Sequence, residues 1–506
     1  MPFDDSSPDV TLPPFDFGEF SCRSLGVTVN LPEEVGRRFP DAAASAVLAF
    51  GSTAPERVAE LRRLYTERTD PATRFLLAGY ASAMVHELRH YHDYLATPFG
   101  ASTMADYMLA ARYCLPAMAG MAREPTVGLP LQRWQSLSPA LHAAYQRHTK
   151  SGAFSATPPA ALGRITASAQ SILQRIERRL GPSPTHPESE LTTRHLLEVS
   201  ALCTQIEYVE LLFGYEAAVE FALYVSEYPG TALYSSLIAL FNAVADGIAP
   251  GQHFSPLVMN AIVFHSLCAS GDPDAEWSHP VDRLHSVLGY LQHAREFPDA
   301  SNVLDILEHV STAFAYPGME ESLNASVQRT SELAHALRAL AARDRGNGLP
   351  ADESLVDCFD AWAAAHEFMA HAILRRPGAY LEPASYLDAT TAGAFVAAPL
   401  YLAGEGPAFR TSEAIVAAFR RAGWTTVWGL GDLDESPDAV QVASLLASPG
   451  MTVGHPIIPL DRARYLSMML WVTSALWSSS MLSPLQRQVA SAVLRSGPVE
   501  WEVLLL

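Results

Sequence analysis

The pattern of apolar and polar positions along the chain is mostly that of α-helices. Long segments keep apolar residues three and four positions apart, contain few breakers and end at glycine or proline. This pattern predicts helices at residues 54–68, 71–96, 103–122, 139–148, 160–180, 189–214, 217–228, 231–247, 256–269, 280–294, 301–314, 320–343, 353–375, 411–422, 436–447, 461–482 and 483–496. Strand candidates are few, at 26–31 and 425–428. The sequence therefore predicts a mainly α fold with little β structure.

Breaker residues divide this helical chain into three parts. A length of 506 residues favours two or three units over a single domain. Residues 1–53 are proline-rich and irregular, and residues 54–342 form a helical domain with a proline-rich insertion near 123–159. The polar, turn-rich segment 343–350 then opens a helical C-terminal region, 343–506, in which we identify no chemistry.

The predicted helix 71–96 contains the segment that matters most for function. Asp70 is a good N-cap and Pro71 suits the first helical position. Within the helix, His86 and His90 are four residues apart, so both imidazoles point from one face. Two neutral imidazoles suit Zn²⁺ and leave room for a third ligand and a water molecule, while Glu87 lies about 100° round the helix as a candidate general base. Two histidines and a glutamate in an apolar helix are costly without such a partner.

Composition and charge indicate which kinds of partner the protein binds and in which cellular compartment it lies. The chain has 34 basic and 54 acidic side chains, a net charge of −20, which argues against a nucleic-acid surface. The acidic N-terminus lacks the pattern of a signal peptide, and we expect no membrane span. Five scattered cysteines, none in C-x-x-C spacing, do not form a disulfide framework or a thiolate zinc site. The N-terminal pattern and the scattered cysteines together favour a cytoplasmic location.

A third protein ligand is needed to complete a two-histidine zinc site. A metzincin would require glycine and histidine where this chain has Asp93 and Ala96. A later helix, 189–214, instead carries Glu198 in an apolar context, with the small residue Ala201 one turn on. A carboxylate in that setting is expensive unless it is paired or binds a metal.

Together, Val85–His90 (VHELRH) and Leu196–Ala201 (LLEVSA) resemble the gluzincin type of zinc metallopeptidase. The resemblance covers these two helices and makes 54–342 the zincin-like domain. It implies His86, His90 and Glu198 as zinc ligands, Glu87 as the catalytic base and a peptide or protein as substrate. The chain departs from the family in the long gap between the two motifs and in the lack of a recognisable sheet before the motif helix.

Several assignments around this site stay open at the level of sequence. Other carboxylates could replace Glu198 as third ligand, namely Glu207, Glu210, Glu216 and Glu220. Asp93 could accept from His90 or pair with Arg89, and His92 points elsewhere as a surface or structural histidine. His195, one turn before Glu198, could stabilise a developing oxyanion, a role for which Tyr91, Tyr208 and Tyr215 are alternatives.

These observations favour a zinc-dependent hydrolase, most simply a metallopeptidase. A rival hypothesis is a helical interaction or scaffold protein with a structural or inactive zincin site. A third keeps an active metal site but directs it at a non-peptide amide or ester. A site with two histidines and one carboxylate also accepts other divalent metals.

Overall fold

The computed structural model describes residues 17–21, 26–31, 55–107, 109, 172, 174–186, 189–227, 232–269, 279–346, 353–392, 394–396, 400–404 and 426–428. The named helices are α1 Pro55–Thr66, α2 Pro71–Ala96, α3 Thr193–Phe213, α4 Tyr215–Glu227, α5 Ala232–Ile248, α6 Pro256–Leu267, α7 Pro280–Ala294, α8 Val303–Ala313, α9 Met319–Gly346, α10 Glu353–Arg375, α11 Pro377–Leu381 and α12 Pro383–Thr391. The strands are β1 Gly18–Ser21, β2 Gly26–Leu31, β3 Leu400–Gly404 and β4 Thr426–Trp428. Residues 98–107 and 174–180 are also helical.

The predicted mainly α fold is confirmed, and most predicted helix bounds lie within a few residues of those observed. Helices α11 and α12 were missed because Pro377 and Pro383 look like breakers in the sequence, whereas each occupies the first turn of a short helix. The helices predicted at 139–148, 411–422, 436–447, 461–482 and 483–496, the insertion near 123–159 and most of 103–122 and 160–180 lie outside the described residues.

A small sheet is present, contrary to the expectation that none accompanies the motif helix. Its strand order is β1-β2-β3-β4, with β1 antiparallel to β2 and the other pairs parallel. The strand candidates at 26–31 and 425–428 are confirmed as β2 and β4. Strands β1 and β3 were not predicted; β3 pairs with a strand from the other end of the chain, a contact that local periodicity does not encode.

The sheet packs against α2 through Phe20 of β1 and through Phe17, the residue that precedes the strand. Phe17 lies so close to Gly79 that a Cβ atom there would come within 2.7 Å of its ring. This close approach explains a glycine in the middle of a long helix, where it otherwise costs about 1 kcal/mol relative to alanine. More than three turns further along α2, Phe20 packs at 6.1 Å from Tyr91 and 5.1 Å from Tyr94, measured between ring centroids. Strand β1 therefore runs alongside the turns of α2 that carry the histidine motif.

Helix α2 is the central element of the fold. The side chain of Asp70 caps its first turn by accepting from the backbone N–H of Thr73 at 2.9 Å, with Pro71 at the first position, as predicted. Every residue from Phe75 to Ala96 is buried, beneath helices α1, α3, α4 and α10 and strands β1 and β2. A helix buried on all sides has no solvent face for its polar residues.

Helices on both sides of the predicted boundary at 343 belong to one hydrophobic core. Buried residues of α10 such as Phe359 and Trp362 share a cluster with Leu88 and Leu95 of α2. The Nδ1–H of His366 donates to the carbonyl of Leu95 at 2.8 Å. The division into domains stays a prediction. No helix in the described part of the chain is both long and apolar enough to span a bilayer.

Three fully buried histidines make the fold sensitive to acid. Burial lowers the pKa of His92 and of His265 to about 3 and that of His366 to about 4. In the unfolded chain these groups titrate near 6.5, so below that pH the unfolded state takes up protons that the folded state does not. Stability is therefore present above about pH 6.5 and lost as the pH falls towards the folded-state values, by about 2 kcal/mol per histidine at pH 5.

We expect the unfolding temperature of the wild type to fall steeply between pH 7.5 and pH 5. His366→Gln should be less stable at pH 7.5, because it disturbs hydrogen bonds to Leu95 and Ser326, but should lose less on acidification. His309→Gln, at an exposed position, is the control and should keep the wild-type pH dependence. Scanning calorimetry at several pH values in this range measures the unfolding temperature of each protein. If the unfolding temperatures of His366→Gln and the wild type fell in parallel with pH, the acid sensitivity would not come from His366.

Candidate metal centre

Helices α2 and α3 bring three metal-ligating side chains together. The Nε2 atoms of His86 and His90 are 3.1 Å apart, and Oε2 of Glu198 lies 3.2 Å from the first and 3.4 Å from the second. Both histidines are buried and Glu198 is partly buried. Among the residues that the structure describes, this is the one group of three histidine, cysteine or carboxylate side chains spaced to hold a metal ion.

The spacing of these atoms fits a tetrahedral divalent cation. Ligand bonds of about 2.0–2.1 Å at tetrahedral angles place neighbouring ligand atoms about 3.3 Å apart. The three observed separations, 3.1, 3.2 and 3.4 Å, bracket that value. Two imidazoles and one carboxylate also form a donor set that zinc accepts, with a fourth position left for a small molecule. The geometry thus needs little rearrangement to hold such an ion.

A hydrogen-bond chain fixes the orientation of His86. Nδ1 of His86 lies 3.0 Å from Oε1 of Gln205, and Nε2 of Gln205 donates to the hydroxyl of Ser82 at 2.9 Å. Because the amide oxygen of Gln205 can only accept, Nδ1 of His86 carries a proton and Nε2 is the atom that faces Glu198 and His90. Such a partner sets the tautomer of a ligating histidine and aims its free nitrogen.

The two neighbouring histidines stabilise the ionised carboxylate of Glu198. Burial by itself raises the pKa of that group, but His90 and His86 outweigh burial and hold the pKa well below its usual range. The carboxylate is therefore ionised near neutral pH. An anionic oxygen and two imidazole nitrogens within 3.4 Å of one another need a proton or a cation between them.

The alternative third ligands lie elsewhere. Glu210 and Glu216 are exposed. Glu220 accepts from the hydroxyl of Tyr65 at 3.0 Å and lies 3.5 Å from Arg74. Glu207 is nine residues after Glu198, which places it on the opposite side of α3. Burial and then the nearby carboxylates Glu210 and Glu382 raise its pKa.

The two predicted catalytic residues, Glu87 and His195, are close in sequence to the ligands His86 and Glu198. Glu87 is buried on the same turn of α2 as His86. Nδ1 of His195 accepts from the backbone N–H of Thr192 at 3.1 Å and lies 2.9 Å from its hydroxyl, at the start of α3. Neutral His195 therefore carries its proton on Nε2. Burial lowers its pKa, against the opposing charge of Glu198, so the ring is a neutral donor near pH 7.

The remaining sequence candidates have other contacts. Asp93 pairs with Arg89 at 3.2 Å, which selects the salt bridge over an interaction with His90. His92 is structural, since its ring nitrogens bond to the hydroxyl of Tyr386 at 2.6 Å and the carbonyl of Val396 at 2.7 Å. Of the tyrosines proposed for the oxyanion role, Tyr215 is exposed and Tyr208 and Tyr91 are buried.

Two residues beside the cluster were missed. Gln205 lies seven residues after Glu198, hence two turns along the same face of α3, and this spacing is a signal that the sequence does contain. Tyr234 of α5 packs its ring 6.0 Å from that of His86, measured between centroids. That contact depends on how α5 packs and leaves no local signal in the sequence.

Comparisons with protein-family models, with curated proteins and with solved structures each return no match. The resemblance to gluzincins stays a hypothesis that rests on α2 and α3. Its two short motifs, far apart in the sequence, meet in one cluster of ligand atoms.

The tautomers of His86 and His195 provide a direct test of this geometry. In metal-free protein we expect Nδ1 of neutral His86 and Nε2 of neutral His195 to carry the proton, because of their respective contacts with Gln205 and Thr192. Gln205→Leu should release His86 to populate both tautomers and leave His195, the internal control, unchanged. Two-bond ¹H–¹⁵N correlation spectra distinguish the forms. Unchanged His86 signals in Gln205→Leu would argue against the hydrogen-bond chain.

Proposed function

We propose that this protein is a zinc-dependent hydrolase, most simply a metallopeptidase, with His86, His90 and Glu198 as the metal ligands. The observation that supports this most directly is the tetrahedral spacing of their three ligand atoms, brought together from two helices. The aligned Nε2 atom of His86 and the ionised carboxylate of Glu198 add to the case. Zinc bound there would supply an activated water and polarise a scissile carbonyl.

We assign a role to each protein side chain beside the ligands. Glu87, which is buried and adjacent to His86 in the chain, would take a proton from an attacking water and pass it to a leaving amine. His195 offers an Nε2–H donor in the neutral form, the form that can stabilise negative charge on a substrate oxygen without itself binding the metal. Gln205 keeps the ring of His86 aimed at the cluster.

The small sheet supports a peptide over a non-peptide amide or ester as substrate. Strand β1 is an edge strand of the described sheet, and its aromatic residue Phe20 packs on α2 beside the histidine motif. An edge strand presents unpaired backbone groups to which an extended peptide can add as a further strand. A sheet alongside the motif helix is also what the gluzincin resemblance implies.

Metal content is the first experiment. We expect about one zinc per chain by elemental mass spectrometry, and loss of that zinc in both His86→Ala and Glu198→Gln. Glu207→Gln, a matched change on the other side of α3, should keep the metal. Zinc lost only in His86→Ala would move the third ligand to another carboxylate. No zinc in the wild type, even after incubation with the ion, would favour the helical scaffold.

The assigned base is tested by turnover. Glu87→Gln should keep its zinc and its fold but lose at least about 10²-fold in the rate of cleavage of a peptide library, because an amide cannot accept the proton. Wild-type cleavage should be abolished by a chelator and restored by Zn²⁺. Cleavage by Glu87→Gln at the wild-type rate would remove Glu87 from the mechanism. Zinc without any peptide cleavage in the wild type would favour a non-peptide substrate or an inactive site.

A further inference from the structure

Arg89, which lies between the two motif histidines in sequence, is one of the most deeply buried charged residues of the described chain. Its side chain is 1 % exposed. The guanidinium lies 4.2 Å above the ring of Tyr380 and 4.8 Å above that of Tyr386. Its Nε is 3.2 Å from Oδ1 of Asp93, one turn on along α2. Burial lowers the pKa of Arg89, but Asp93 and the two tyrosines outweigh burial and raise it. The side chain therefore remains a cation.

The hydrogen bonds of this cation connect α2 to the helix that carries the third ligand. Nε of Arg89 donates to the hydroxyl of Ser200 at 2.9 Å, and Nη1 donates to the carbonyl of Tyr380 at 2.6 Å. Ser200 is two residues after Glu198 on α3 and is itself buried. The one side chain thus joins the ligand-bearing helices α2 and α3 to each other and to α11.

The guanidinium is suited to fixing a distance between helices. It is planar and presents its donors in a rigid fork, so several bonds at once define the position of each partner. In a buried setting these bonds are retained because every lost partner leaves a charge uncompensated. The distances between Glu198 and the two histidines depend on where α3 lies along α2, and this is the relation that the Arg89–Ser200 bond constrains.

We propose that Arg89 is a positioning residue of the metal centre, which acts through Ser200 to hold Glu198 at ligand distance from His86 and His90. This inference rests on the proposed metal site. Asp93 and Tyr380 keep the guanidinium in place, since the hydroxyl of Tyr380 donates to Oδ1 of Asp93 at 2.7 Å. Arg89 touches none of the reacting groups and contributes by geometry alone.

The test compares Ser200→Ala, Arg89→Lys and the double variant with the wild type. Ser200→Ala removes one acceptor on α3 and leaves the Arg89–Asp93 pair intact. Arg89→Lys keeps the positive charge but replaces the planar guanidinium, with its fixed set of donors, by a single ammonium group. Thr204→Val is the matched control, because Thr204 is buried on the same helix and its hydroxyl bonds only to the backbone of its own helix, at Ser200. Each protein is titrated with Zn²⁺ against a competing chelator and with Co²⁺, whose visible absorption reports the number and geometry of ligands. The melting temperature of each metal-free protein is recorded in parallel.

We expect Ser200→Ala and Arg89→Lys each to weaken Zn²⁺ binding about tenfold and to alter the Co²⁺ spectrum. The double variant should bind Zn²⁺ with about the affinity of the single variant that binds it less tightly, because both changes break the same connection. Thr204→Val should lose comparable stability and keep the wild-type affinity and spectrum.

Two other results would overturn the proposal in distinguishable ways. Wild-type affinity and spectrum in Ser200→Ala, or additive losses in the double variant, would show that Arg89 does not act through Ser200, with the metal site itself standing. No Zn²⁺ or Co²⁺ binding by the wild type would remove the metal site and the positioning role together.

Discussion

The rest of the structure depends on the cost of burying polar side chains on a helix that has no solvent face. Within eight residues, α2 places six polar or charged side chains in the interior of the protein: His86, Glu87, Arg89, His90, His92 and Asp93. Each buried polar group without a partner costs several kcal/mol. The free energy of unfolding of an ordinary domain is about 5–15 kcal/mol, so a few such groups would unfold it. The surrounding elements therefore have to supply partners, and the packing around α2 follows from that requirement.

The polar residues of α2 divide into two sets with different partners. One set faces α3, where His86 and His90 converge with Glu198 on a point suited to a cation and Gln205 bonds to the other ring nitrogen of His86. The other set faces α11, α12 and the segment after them, where Tyr380, Tyr386 and Val396 form hydrogen bonds with Arg89, Asp93 and His92. Arg89 belongs to the second set and reaches the first through Ser200. The site and its support are thus parts of one connected interior.

What the sequence could predict depended on whether the signal was local. Helix periodicity and caps placed α2 within its observed bounds, and the four-residue spacing placed His86 and His90 on one face. Glu198 could be singled out because a carboxylate in an apolar helix is costly by itself. The partners of Arg89 and His92 could not be predicted from the sequence. They lie 291 and 294 positions away in the chain, and hydrogen bonds at that separation do not affect the periodicity of the helix. For the same reason the sheet was missed, because β2 finds its parallel neighbour β3 at the far end of the described chain.

The distance in sequence between α2 and its partners has a consequence for biosynthesis. Tyr380 follows Arg89 by 291 residues and Val396 follows His92 by 304. At about 5–20 residues per second, a ribosome needs roughly 15–60 s to supply those partners after the helix has been made. Until then the carbonyl groups of Tyr380 and Val396, which accept from Arg89 and His92 in the folded protein, have not been made. The interior around α2 is therefore completed late in translation, and water has to hydrate these side chains of the nascent chain until that point.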